Sequence, residues 1–191
     1  MVASTKGSVI GPSAREPFDQ LMDQTPAAGC VTYEEAEVGG LHGWWCRPDD
    51  AGGEAAILYL HGGAYVVGSA RAYQHFVGQV AARAKVAAFL APEHPFPAAA
   101  DETLAAYRGL VKKGFAKIAL AGDSAGGGLA LVLLSSLMVE ALEGSGRSPV
   151  GAAVMLLWAD LALSGASMET RDEADPLSIS ATSCGNNCTD P

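Results

Sequence analysis

Between residues 55 and 158 the chain alternates short, unbroken apolar runs with stretches of helical periodicity, and no other feature restricts its fold as much. Ala55-Ala56-Ile57-Leu58-Tyr59-Leu60 is an apolar run stopped by glycines, the pattern of a strand buried on both faces. Ala72, Phe76, Val80 and Ala84 then recur every four residues and predict a helix with these four on one face. Residues 86–90 read as a second strand, and Leu104, Tyr107 and Val111 mark a helix that starts near Pro97 and Asp101. A strand over 117–121, a helix over 125–142 and a strand over 150–158 complete the series. Strands alternating with helices predict an α/β fold with a mostly parallel sheet and helices on both faces. Upstream, residues 31–47 predict one or two antiparallel edge strands, and Phe18, Leu21 and Met22 a short amphipathic helix.

Composition then excludes several functions. A chain of 191 residues with 49% apolar and 17% charged residues folds as one domain with a sizeable core, not as a disordered segment. Its net charge of -9 repels phosphate backbones and anionic membranes, so nucleic acid is not an expected partner. The first twenty residues hold no apolar run of seven, which argues against a cleaved leader, and 126–139 is too short to span a bilayer. The expectation is a cytoplasmic protein with a small neutral ligand and no membrane span. Cys30, Cys46, Cys184 and Cys188 are too scattered for a disulfide scaffold. Cys184 and Cys188 have no nearby histidine or third cysteine, so no metal is expected. Neither a G-x-x-x-x-G-K-[ST] nor a G-x-G-x-x-G pattern occurs, and no cofactor is expected.

Two local patterns carry chemistry. Gly122-Asp123-Ser124-Ala125-Gly126 follows the strand at 117–121 and opens a long apolar helix, the setting of a nucleophile elbow. There the serine hydroxyl stands above the sheet at a helix N-terminus, whose dipole favours developing negative charge. A serine capping a helix after a Gly-rich turn is the bland alternative. His61-Gly62-Gly63-Ala64-Tyr65 follows the strand ending at Leu60, and adjacent glycines let backbone N–H groups face an oxyanion. On its own, that pair of glycines reads equally well as a turn.

These two motifs, with Ala91-Pro92-Glu93-His94-Pro95-Phe96-Pro97-Ala98 between them, resemble the hormone-sensitive-lipase-like branch of the α/β-hydrolases. Asp160-Leu161 to Ser164-Gly165 and Glu173-Ala174-Asp175-Pro176-Leu177 also resemble that family, so the likeness runs from about residue 30 to about 177. The resemblance implies a carboxylic ester hydrolase for short or medium acyl chains, working without a cofactor. Ser124 would be the nucleophile, and the N–H groups of Gly62, Gly63 and Ala125 the oxyanion hole. Residues 1–30 would be a cap segment, 31–177 an incomplete hydrolase core, and 178–191 an irregular tail.

The chain departs from that pattern in two places. The family sets its acid and histidine after the serine, yet His42, His61, His75 and His94 all precede Ser124. His61 is the nearest substitute base, and none of Asp160, Asp172 and Asp175 is marked as a triad acid. The family's Asp-Tyr-Arg-Leu stretch is also missing, since Leu90 runs straight into Ala91-Pro92. A core truncated after the sixth strand would leave residues 150–158 as an apolar edge, open to self-association. Sequence therefore predicts an impaired serine esterase, with a non-catalytic acyl-binding or interaction module as the alternative.

Overall fold

The computed structural model describes residues 11–91, 98–162 and 164–171. Within them six strands form one sheet: β1 (Val31–Val38), β2 (Leu41–Pro48), β3 (Ala55–Leu60), β4 (Ala87–Ala91), β5 (Lys117–Asp123) and β6 (Gly151–Met155). Their spatial order is β1-β2-β4-β3-β5-β6. The helices are α1 (Arg15–Met22), α2 (Ala70–Ala84), α3 (Ala98–Lys112), α4 (Ser124–Leu142) and the short α5 (Ser167–Thr170). β1 and β2 form an antiparallel hairpin, β2 pairs antiparallel with β4, and β4, β3, β5 and β6 run parallel.

The connections dictate where the helices lie. The chain steps from β3 to β4 in one direction and from β4 back past β3 to β5 in the other. Right-handed crossovers therefore put α2 on one face and α3 and α4 on the opposite face. Side-chain alternation agrees. Ala56, Leu58, Leu60 and Phe89 join the α3–α4 core, while Ile57, Tyr59, Ala88 and Leu90 join the α2 core. Trp45, Phe89, Tyr59 and Tyr107 are among the largest fully buried side chains, and each contributes on the order of 1.5–3 kcal/mol by leaving water. Because the connections leave β3 towards opposite edges of the parallel strands, a crevice opens at the C-terminal ends of β3 and β5, where open α/β sheets bind ligands.

Two expectations change, on α2 and on the last strand, while the antiparallel pairing expected over 31–47 is present. The buried residues of α2 are Ala70, Ala72, Tyr73, Val77, Gly78 and Ala81; of the four expected, Ala72 is buried, Phe76 and Val80 pack half-buried on the flank, and Ala84 is exposed. The last strand ends at Met155, because Leu156 takes a positive φ of 48° and the chain turns away. Residues 31–48 make two strands, both fully paired with each other. The Pro92–Pro97 part of the second motif, the first ten residues and the tail at 178–191 lie outside the described residues.

Candidate active site

β5 passes into α4 with no intervening loop, and Ser124 is the first helical residue. Its φ is +50°, a left-handed conformation that a non-glycine residue adopts only when its surroundings enforce it. The enforcement comes from Gly122 and Gly126. A Cβ on Gly126 would meet the Leu60 carbonyl oxygen at 2.1 Å, and one on Gly122 would meet the Gly126 carbonyl oxygen at 2.5 Å. Only bare backbone lets the helix start this close to the end of β3, where Leu60 lies in register with Gly122. The first-turn N–H groups of α4, that of Ala125 included, have no carbonyl partner within the helix and carry the positive end of its dipole. Among the described residues the Ser124 hydroxyl makes no hydrogen bond, and its carbonyl accepts the Trp158 N–H at 3.1 Å.

The loop 61–68 faces this elbow from the end of β3. His61 is only 2% exposed; its Nδ1–H donates to the Gly62 carbonyl at 2.8 Å, and its ring stacks on Tyr73 at 5.1 Å. On the other side of the same residue, the Gly62 N–H donates to Asp123 Oδ1 at 3.0 Å. Asp123 also accepts the Tyr59 hydroxyl at 2.9 Å and the Tyr73 hydroxyl at 3.2 Å. Both peptide groups flanking Gly62 are thus fixed. In a trans peptide the C=O and N–H point in opposite directions, so turning the Gly62 carbonyl onto His61 turns the Gly63 N–H away from it. Gly63 in turn sits at φ +137°, with its carbonyl accepting the Val66 and Val67 N–H groups at 3.0 and 2.8 Å. A Cβ at that position would lie 1.9 Å from the Val67 carbonyl oxygen.

This geometry revises two sequence expectations. The Gly62 N–H, assigned to the oxyanion hole, has its one hydrogen committed to Asp123 and is not free to meet a substrate. Among the described residues, the N–H groups of Gly63 and Ala125 have no such partner. His61, considered as a substitute base, is instead a buried donor that makes no hydrogen bond to Ser124. Burial lowers its pKa, outweighing the Gly62 carbonyl and the charges of Asp123 and Asp19, and Arg15 acts in the same direction as burial. The ring is therefore neutral near pH 7. Burial and the Asp123 charge raise the Tyr59 pKa strongly, so its hydroxyl stays protonated and donating.

The remaining candidates are dispersed. His42 lies exposed beside Glu37 at 3.9 Å, and His75 Nδ1 donates to the Thr25 carbonyl at 3.2 Å. Asp160, in the loop after β6, accepts the Ala162 N–H and both the N–H and hydroxyl of Ser164, and these bonds, the Ser164 hydroxyl foremost, lower its pKa. His94, Glu93, Asp172, Asp175, Cys184 and Cys188 lie outside the described residues. Among the described residues no group of three or more His, Cys, Asp or Glu side chains is placed to hold a metal ion. A surface cavity of about 530 Å³ between α1 and the start of α2 is lined by Arg15, Glu16, Asp19 and Arg71, with Ser124 absent from its walls. The candidate nucleophile therefore lies outside that cavity. Sequence reading missed the role of Tyr59 and Tyr73; the one signal was a hydroxyl-bearing Tyr59 in an otherwise aliphatic strand.

The elbow, the facing glycine loop and the strand order find the same match elsewhere. Residues 57–185 match the profile of the alpha/beta hydrolase fold. The chain belongs to that family. Its likeness to the hormone-sensitive-lipase branch also holds. An esterase of the bacterial hormone-sensitive lipase family superposes with a TM-score of 0.80 at 29% identity, over 93% of this chain and 63% of that one. A crystallised esterase/lipase from an uncultured bacterium gives a TM-score of 0.78 at 34% identity, over 90% of this chain and 59% of its own. Among curated relatives, an acetyl-hydrolase of Streptomyces hygroscopicus is 38% identical over 84% of this chain and 54% of its own length. An esterase of Acinetobacter venetianus is 30% identical over 92% of this chain and 59% of its own length. This hydrolase chain spans a little over half the length of those relatives.

Proposed function

We propose that this hydrolase chain carries the nucleophile and oxyanion hole of a serine carboxylic ester hydrolase. The observation that carries the reading is Ser124 at φ +50° on a strand–helix junction, and in this reading the N–H groups of Gly63 and Ala125 are the oxyanion donors. In this reading Ser124 Oγ attacks the ester carbonyl carbon, and the two N–H groups stabilise the oxyanion that forms. Collapse of the tetrahedral intermediate expels the alcohol, and water then releases the acid from the acyl-serine. His61 and Asp123 aim the Gly63 donor from either side of Gly62. The substrate is a small neutral ester with a short or medium acyl chain, in keeping with the acetyl-hydrolase and esterase names of the relatives. Residues 1–30 form a cap segment, 31–177 the core and 178–191 the tail.

A serine hydroxyl needs a general base near neutral pH, and residues 125–191 contain no histidine. By themselves, these 191 residues therefore work as an impaired esterase. In serine proteases, oxyanion stabilisation without the base leaves roughly 10³–10⁴-fold acceleration over water. Among the described residues β6 pairs with β5 alone, and that open edge supports self-association of the chain. Hydrolysis of p-nitrophenyl butyrate by the chain and by Ser124→Ala tests the reading. We expect slow turnover within that residual range and its loss in the variant; equal rates from both would overturn the esterase assignment.

A further inference from the structure

The loop 61–68 is expensive to hold. Gly63, Ala64, Tyr65 and Gly68 have φ values of +137°, +54°, +60° and +90°, so half of its residues sit in the left-handed region, two of them with side chains. Such a conformation persists only where neighbouring groups over-determine it. Asp123 and His61 fix the entry of the loop at Gly62. The exit is fixed from a different part of the chain. Arg15, on α1, donates to the Val66 carbonyl at 2.7 Å and to the Gly68 carbonyl at 3.2 Å. Beside it the Ser69 hydroxyl donates to Asp19 Oδ2 at 2.8 Å, and Phe18 stacks on Tyr73 at 6.2 Å. α1 therefore touches the loop exit directly and, through Tyr73, the Asp123 carboxylate at the loop entry.

Arg15 lies near Glu16 and Asp19 but spends its guanidinium on two main-chain carbonyls. Among the described residues it makes no ion pair. The planar fork of an arginine reaches two acceptors at fixed spacing, whereas the point charge of a lysine satisfies one well. We propose that Arg15 is a positioning residue of the oxyanion loop: it holds the loop exit in the left-handed conformation that keeps the Gly63 N–H aimed at the Ser124 site. The catalytic half of this inference rests on the esterase reading above; the loop-holding half does not. The N-terminal helix then acts on transition-state stabilisation, and not solely as a cover over the acyl site.

The test compares the chain with Arg15→Ala, Arg15→Lys and, as a control on the same cavity wall, Arg71→Ala. Amide hydrogen exchange at Val66 and Val67, whose N–H groups close the loop onto the Gly63 carbonyl, reports the held conformation. Arg15→Ala should speed these two amides by about tenfold or more while β3 and β4 amides are unchanged, Arg15→Lys should recover part, and Arg71→Ala should match the parent chain. Ser124-dependent p-nitrophenyl butyrate turnover should fall about tenfold in kcat with KM nearly constant, the pattern of a lost transition-state interaction. Unchanged exchange in Arg15→Ala overturns the proposal outright, and faster exchange with unchanged kcat overturns its catalytic half. Lack of Ser124-dependent turnover in the parent chain overturns the esterase reading and the catalytic half with it, and the exchange result then decides the loop-holding half.

Discussion

The two flanks of the sheet are built differently. At one edge, β1 presents Glu34, Glu35 and Glu37 to solvent, with Arg47 and His42 of β2 near two of them, which is how a permanent edge avoids pairing with other chains. At the other, β6 is Gly-Ala-Ala-Val-Met with no charge, and all but Val154 are exposed. Around it Val150, Leu142 and Leu156 are 64%, 84% and 88% exposed. α4 packs Leu129, Leu133 and Leu137 against the sheet, but its outer Val132 and Val139 face water. The same asymmetry runs through the site. On the β3 side, Tyr59 and Tyr73 donate to Asp123 and His61 donates to the Gly62 carbonyl; on the far side, the Ser124 hydroxyl has no partner among the described residues. In the proposed reading, the described residues finish the oxyanion half of the site and not the proton-handling half.

Breaking the finished half should have the largest effect. Gly126→Ala drives a Cβ into the Leu60 and His61 carbonyl oxygens, a backbone clash that cannot relax by rotating a side chain. It should cost about 3 kcal/mol or more in chemical denaturation, at the upper end of overpacking costs. Gly151→Ala on β6, where a Cβ meets nothing within 4 Å, should stay within about 0.5 kcal/mol.

A smaller effect comes from His61. Its folded pKa lies below the ordinary value of 6.5, so the unfolded chain binds the proton more readily. Stability is full above pH 6.5 and falls as pH drops through the window between that value and the folded one. His61→Asn, whose amide nitrogen can still donate to the Gly62 carbonyl, should show a shallower loss between pH 7.5 and 5 in thermal melts. An unchanged pH dependence would contradict the buried neutral ring. Smallest in stability is Ala153→Lys on β6. It should leave the unfolding free energy within about 0.5 kcal/mol while shifting sedimentation towards monomer, since a lysine blunts an edge.

Sequence made the finished half most legible where backbone sterics dominate. The apolar run ending at Leu60 and the glycines around Ser124 admit few other conformations, and strand, elbow and helix all follow from them. Spacing alone misled on α2. Steps of four residues advance about 40° beyond a full turn, so a stripe from Ala72 to Ala84 drifts off the face that Ala70, Tyr73, Val77 and Ala81 keep by mixing steps of three and four. The length of the last strand was overestimated because its apolar pattern continues to Trp158, whereas the Trp158 N–H turns back to the Ser124 carbonyl. Which way a peptide plane faces is not written in residue types, so Gly62 and Gly63 looked equivalent as donors. The Tyr59–Asp123 and Tyr73–Asp123 bonds join residues 64 and 50 positions apart, a separation that no local pattern encodes.

The central claim is that an assembled elbow and oxyanion hole coexist with an unassisted serine hydroxyl. Intact-mass measurement during incubation with an alkyl fluorophosphonate, which mimics the tetrahedral intermediate, tests it most directly. The account predicts a single adduct that forms slowly, maps to Ser124 and is absent from Ser124→Ala. An unlabelled chain, or labelling that persists in Ser124→Ala, would contradict it.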